Sequence, residues 1–211
     1  YNQNEVKEDK EVPYNNQYQY AQGHRLGARS QYKFYRFYDA ETPALYEKEF
    51  GEKFPTQLAG DNLQPGDAVY VDLDKNGKID ENDKTRSNGY TDDPQYLVGF
   101  NFGFKWKNLE VSSQWTGAWN VSRMLSDVFR QPFLNASGST EGGLLKYHQD
   151  HTWTVDNPSQ GSYYPRASWA NAAQNYVESN LYEKDAKYLR LKTLQVAYDL
   201  NFPFMKRVGL N

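Results

Sequence analysis

The chain has 211 residues, a net charge of −3 and no cysteine, so it offers no disulfide framework, no thiolate metal site and no basic stripe of the kind nucleic acids require. Mean hydropathy is low at −0.95, yet aromatic residues reach 16%, which sets the chain apart from disordered sequences. No apolar run approaches the ~18 residues of a membrane-spanning helix, a fact that excludes a helical span and leaves a strand span open.

In chain order, residues 1–31 are polar, with Tyr and Gln in alternation. Tyr32 to Tyr38 (YKFYRFY) predicts a strand, residues 41–66 a loop with a short helical turn, and Asp67 to Asp72 (DAVYVD) a second, short strand. Asp72 to Asp83 then reads DLDKNGKIDEND. On a twelve-residue EF-type loop, side-chain oxygens would come from Asp72, Asp74, Asn76, Asp80 and Asp83, and a backbone carbonyl from Lys78. Gly77 falls at the sharp turn and Ile79 at the apolar position. Calcium prefers six to eight hard oxygen ligands, and this spacing wraps such ligands round one point. Asp83 is shorter than the usual Glu, and the turn-forming residues that follow argue against the second helix of a true EF-hand. The bland alternative is a glycine-centred acidic turn without metal.

Tyr96 to Trp106 alternates strictly: Tyr96, Val98, Phe100, Phe102, Phe104 and Trp106 share one face, and Leu97, Gly99, Asn101, Gly103 and Lys105 the other. Lys107 and Asn108 read as a two-residue turn. The apolar phase continues through Leu109, Val111, Trp115 and Trp119, against Glu110, Ser112, Gln114, Thr116 and Ala118. One greasy face and one small, polar face suit a transmembrane β-barrel hairpin, with lipid outside and water inside. They also suit a soluble sandwich, in which the greasy face is core; strands of this length favour the barrel slightly.

Residues 120–186 hold no sustained period beyond a helical turn near Ser126 to Arg130. Their aromatics Trp153, Tyr163, Tyr164 and Trp169 are candidates for stacking on a sugar or gripping a peptide, or for a packed loop core. His148 and His151, with Asp150 between, lack a third ligand at a recognisable spacing and read as ordinary loop histidines. Lys187 to Phe202 predicts a third long strand. Leu194, Val196, Tyr198, Leu200 and Phe202 share a face, but Leu189 and Leu191 fall out of phase with them. A barrel wall rising out of the bilayer would invert this way; a bulge would do so too.

Several of these motifs occur in one order. Gly66-Asp67, Tyr70-Val71-Asp72 and DLDKNGKIDEND are followed by Pro94, YLVGFNFGFKWK, WTVDNP from Trp153, Pro165-Arg166 and AKYLRLKTLQVAY from Ala186. Together with the drifted GHRLGARSQYKFYRFY from Gly23, the series resembles the SusC/RagA family of TonB-linked outer-membrane transporters over residues 23–202. Two departures are Lys75, where the family often has a second Asp, and a degraded segment at Tyr35 to Tyr38.

The resemblance implies an all-β fold: a segment of a large antiparallel transmembrane barrel of about 22 strands. Residues 24–95 and 120–186 would be extracellular loops, 96–119 a transmembrane hairpin and 187–202 a transmembrane strand. It further implies an outer-membrane, TonB-energised importer of glycans or peptides. Such a protein is not an enzyme and works with a SusD-like surface lipoprotein; its plug and closing strands are expected outside these residues. The alternatives from other classes are a secreted, soluble, carbohydrate-binding β-module with a calcium-stapled loop, and a hydrolase with its site on the loops.

Overall fold

The computed structural model describes residues 1–8, 10–11, 13–134 and 142–200. Its strands are β1 (Gln31–Tyr32), β2 (Phe34–Phe37), β3 (Ala68–Tyr70), β4 (Lys84–Thr85), β5 (Tyr96–Trp106), β6 (Leu109–Trp119), β7 (Ser122–Met124), β8 (Glu183–Asp185) and β9 (Tyr188–Tyr198). The helices are α1 (Thr42–Phe50), α2 (Asp127–Arg130), α3 (Lys146–His151) and α4 (Ala172–Asn175). Three strands of 11 residues each, β5, β6 and β9, form an open antiparallel sheet in that order. The sheet does not close on itself among the described residues. It matches the expected fragment of a larger barrel, because each edge strand still offers unpaired backbone groups.

The hairpin register is unbroken from Tyr96↔Trp119 to Trp106↔Leu109. Lys107 takes the left-handed conformation (φ 52°) that a tight two-residue turn requires. The apolar faces of β5 and β6 therefore coincide. Ser113 is the polar exception on that face, and its hydroxyl accepts a 3.1 Å bond from the Trp115 indole N–H and donates to the Phe102 carbonyl. The indole donor is thus satisfied within the sheet and need not find water. Phe100 and Trp115, directly paired, stack with centroids 6.0 Å apart.

The phase inversion read in the third strand has its cause at Lys192. Gln114 pairs with Thr193 and Trp115 with Leu191, so Lys192 is an extra residue without an opposite partner. A one-residue bulge shifts the alternation by one step. Leu189 and Leu191 then pair with Gly117 and Trp115, while Leu194, Val196 and Tyr198 pair with Ser113, Val111 and Leu109. All five apolar residues lie on the face that carries Phe100 and Trp115. The apolar stripe does not invert; it crosses all three strands. Residues 201–202 of the expected strand lie outside the described residues.

The other described segments build a second body from short pieces. Tyr32 to Tyr38, expected as one strand, is split: β1 pairs with β4 and β2 with β3, and β2 bulges between Phe34 and Arg36. Helix α1 exceeds the short turn expected. Pro lies in its first turn, and Gly51 closes it in the left-handed conformation (φ 72°). Buried Tyr46 anchors it against Phe50 and Phe54.

Two small aromatic clusters lie inside. Tyr32, Ala68, Tyr70 and Ile79 form one; Tyr164, Tyr176 and Tyr182 form the other. Leu181 packs against both, so residues 24–95 and 120–186 share a core. No helix among the described residues is long and apolar enough to cross a membrane.

Candidate functional site

The acidic loop lies between β3 and β4, with a single 3-10 turn at Glu81–Asp83 in place of a following helix. Gly77 (φ 85°) makes the sharp bend expected of it. The Asp72 carboxylate folds the loop round itself: one oxygen accepts from the Lys75 and Asn76 amides, the other from the Gly77 amide at 2.7 Å. Asp83, fully buried, closes the ring by accepting from the Leu73 amide at 2.7 Å and the Asp80 amide at 2.8 Å. Carboxylate oxygens of Asp72, Asp74 and Asp83 come within 4.8 Å of one another, the one such acidic, His or Cys group among the described residues.

The other expected ligands are less committed. Asn76 turns its amide nitrogen toward Asp74, 3.0 Å away, and an oxygen there would need the amide flipped. Asp80 stands outside the group of three, held by Lys78 Nζ at 3.0 Å. Burial pushes the Asp83 carboxyl up to about 6, and the neighbouring Asp72 charge adds to it against three backbone hydrogen bonds. Burial and the Asp72 carboxyl also raise Asp74. By contrast, the Asn82 amide, with Lys78 further off, holds Asp80 below the usual carboxylate range. Three converging carboxylates, two of them raised, form a donor set that a hard divalent cation would relieve.

The loop is also a junction. The Tyr46 hydroxyl accepts from the Asp72 amide, residue 56 bridges residue 78, and Tyr18 donates to the Asn82 carbonyl at 2.8 Å.

The aromatic candidates divide. Trp153 (5% exposed) and Tyr164 (3%) are core residues, which takes the packed-loop-core alternative for these two and removes them from the stacking candidates. Trp153 lies flat on Gly66, where a Cβ would come 2.1 Å from the indole. Gly66 must be glycine on this ground and because of its φ of 86°. Tyr163 and Trp169 are exposed but sit in different groups. Tyr163 is beside Tyr147 and His151 and under Lys184 Nζ, while Trp169 meets Phe133 edge-on. The histidines fall on α3: His148 is buried with Nε2 3.1 Å from the Phe129 carbonyl, and His151 bonds the Tyr147 carbonyl.

Sequence reasoning missed a buried polar network. Fully buried Asp67 accepts from Arg166 at 2.7 Å, Asn175 at 2.8 Å and Asn171 at 2.6 Å. Gln174 is likewise buried; its side chain accepts from the Ala59 amide and donates to the Ala68 carbonyl. Polar residues in long irregular segments carry no periodic signal. The Gly66-Asp67 and Pro165-Arg166 landmarks were the available hint, and the structure joins them.

No protein-family model matches the chain. It is 26% identical over 177 residues to the TonB-dependent receptor P3 of Formosa agariphila, covering 82% of this chain and 16% of that protein. Its fold is similar to the RagAB peptide importer in the open-open state (TM-score 0.53, 16% identity, 87% of this chain and 17% of the other). The closed-closed state gives a TM-score of 0.50 at 17% identity, covering 84% and 17%. The chain thus spans 16–17% of the length of these relatives, which are a receptor and an importer and not enzymes.

Proposed function

We propose that this chain, a SusC/RagA-like portion of a TonB-dependent receptor, supplies three wall strands and two extracellular loops to an outer-membrane importer. The observation that carries the reading is the apolar stripe on β5, β6 and β9. Phe102 and Trp106 are 60% and 63% exposed on it, with Leu194 and Val196 on the strand two over. A face of this extent left to water is an interaction surface. Its opposite face, with Asn101, Lys105, Glu110, Gln114, Arg190 and Gln195, suits a wet lumen. Short turns of such barrels face the periplasm and long connections face outside, so Lys107-Asn108 lies on the periplasmic side. Residues 24–95 and 120–186 then form one extracellular body.

In this reading the acidic loop binds calcium through Asp72, Asp74 and Asp83, with Asn76, Asp80 and the Lys78 carbonyl as further ligands. Weak affinity, ~10⁻⁴ to 10⁻³ M, suffices outside a cell. The ion would hold together the segments that meet at the loop. Cargo would be a peptide or an oligosaccharide; the peptide importer among the similar folds favours a peptide. A SusD-like lipoprotein would cover the mouth, and energy would arrive through TonB from segments outside this chain. The secreted carbohydrate-binding alternative loses Trp153 and Tyr164 from its stacking platform.

The test is fractionation followed by uptake. The intact protein should sediment with outer membranes and need detergent for extraction. Deleting its gene should abolish growth on its peptide or glycan, as should deleting TonB. Extraction by salt alone would overturn the proposal.

A further inference from the structure

A cavity of about 280 Å³ lies between residues 24–28 and 86–91, lined by His24, Arg25, Ala28, Arg86, Asn88 and Tyr90 among others. All three guanidinium nitrogens of Arg25 are buried and have no hydrogen-bond partner among the described residues. The Asn88 side-chain nitrogen is buried and unpartnered too. Arg86 reaches the same cavity, with Nε on the Gln19 carbonyl at 3.1 Å and a second nitrogen on the Ala28 carbonyl at 2.6 Å. Among the described residues, neither arginine has a carboxylate within 4.0 Å. Glu183 approaches Gly89 but is engaged by Arg29, Gln31 and Ser122.

A buried guanidinium cannot shed its proton, and leaving its donors unmade is costly. A second positive charge, Arg86, lines the same small cavity, held only by backbone carbonyls and without a carboxylate partner among the described residues. The missing component is an acceptor with negative charge. The planar fork of Arg25 matches a carboxylate or phosphate bidentately; the Asn88 amide is a spare donor on the wall, and the His24 ring lies beside it, 3.4 Å from the Ser87 hydroxyl. The volume holds a small oxyanion or the acidic end of a larger molecule, with Ala28 and Tyr90 to contact its apolar part. We infer that this cavity is an oxyanion-binding site, with Arg25 as its principal ligand and Arg86 as its supporting charge. The inference rests on the loop body alone and is independent of what the long strands face.

The experiment is calorimetric and thermal titration of the intact, detergent-purified receptor with inorganic phosphate and, separately, with succinate. Wild type should bind at least one and melt at a higher temperature in its presence. Phosphate binding alone assigns a phosphate group, succinate binding alone a carboxylate group, and both a general oxyanion site. Arg25→Gln should weaken binding at least about tenfold and melt no lower than wild type without anion, because its uncompensated charge is gone. Arg25→Lys keeps the charge without the fork. It should bind with intermediate strength, and it decides the matter if the glutamine variant misfolds. Exposed Arg123→Gln should change nothing. Failure of wild type to bind either anion, or equal binding by wild type and the Arg25 variants, overturns the inference.

Discussion

At the scale of single residues, the acidic loop is held by charge and proton together. An aspartate in the unfolded chain titrates near 3.9, whereas Asp83 in the folded, metal-free loop titrates at about 6. Its raised value means the folded loop binds a proton more tightly than the unfolded one. The resulting stabilisation is fully present below about pH 3.9 and is lost as pH rises through about 6. Hydrogen exchange of residues 67–95, corrected for intrinsic rates, should therefore be slower at pH 5 than at pH 7 in chelator. Calcium should reverse this order, since metal and proton compete for Asp83, and Asp74→Ala should abolish the calcium effect while leaving the long strands intact. Exchange that ignores calcium at pH 7 would contradict the metal reading. Asp67 makes a separate case. Its loss leaves buried Asn171 and Asn175 without their shared acceptor, while Arg166 still reaches solvent, and each buried donor left unpaired costs on the order of 1–3 kcal/mol. Asp67→Ala should let a protease cut residues 142–186 under conditions in which the wild type is resistant.

At the scale of elements, the three long strands were legible, whereas the short strands β4, β7 and β8 and the split of β1 from β2 were not. Strict alternation over Tyr96 to Trp106 and the turn at Lys107-Asn108 fixed the hairpin, because side-chain period and turn length leave one register. The third strand was legible as a strand, but the sequence pattern alone left its phase change open between a wall leaving the bilayer and a bulge. Only pairing with β6 puts the extra residue at Lys192. Deleting Lys192 alone should remove the bulge and leave Leu189, Leu191, Leu194, Val196 and Tyr198 in one strict alternation on the apolar face, whereas deleting Lys192 and Thr193 together should throw Leu189 and Leu191 onto the polar face and Arg190 onto the apolar one. The double deletion should assemble poorly into vesicles, whereas the single deletion and Lys192→Ala should both assemble like wild type. The two faces also differ in tolerance. Phe102→Arg should cost on the order of 2–4 kcal/mol in bilayer stability if the residue sits near the midplane. Asn101→Arg should cost much less, as read from urea unfolding of the intact barrel in lipid.

At the scale of the molecule, two kinds of order meet in one chain. The open sheet leaves its apolar face exposed and its edge strands unpaired among the described residues. The loop body keeps tyrosines and a polar network inside. The sheet was legible because its pattern repeats every second residue. The body was not, because Asp67, Gln174 and Asn175 are polar residues in aperiodic segments whose burial depends on partners about 100 positions away. For the same reason the sequence left Trp153 and Tyr164 open between a stacking platform and a packed loop core, and the structure places them in the core. The acidic loop lies between these cases: its spacing was plain in the sequence, and the structure gathers three of its carboxylates. The central claim is that the apolar face of β5, β6 and β9 meets lipid. Nitroxide labels at residues 101 and 102 of the intact receptor in bilayers test it most directly. The label replacing Phe102 should be relaxed by oxygen and shielded from a water-soluble nickel chelate, and the label replacing Asn101 should show the opposite preference. Equal access of the nickel chelate to both positions would contradict the account.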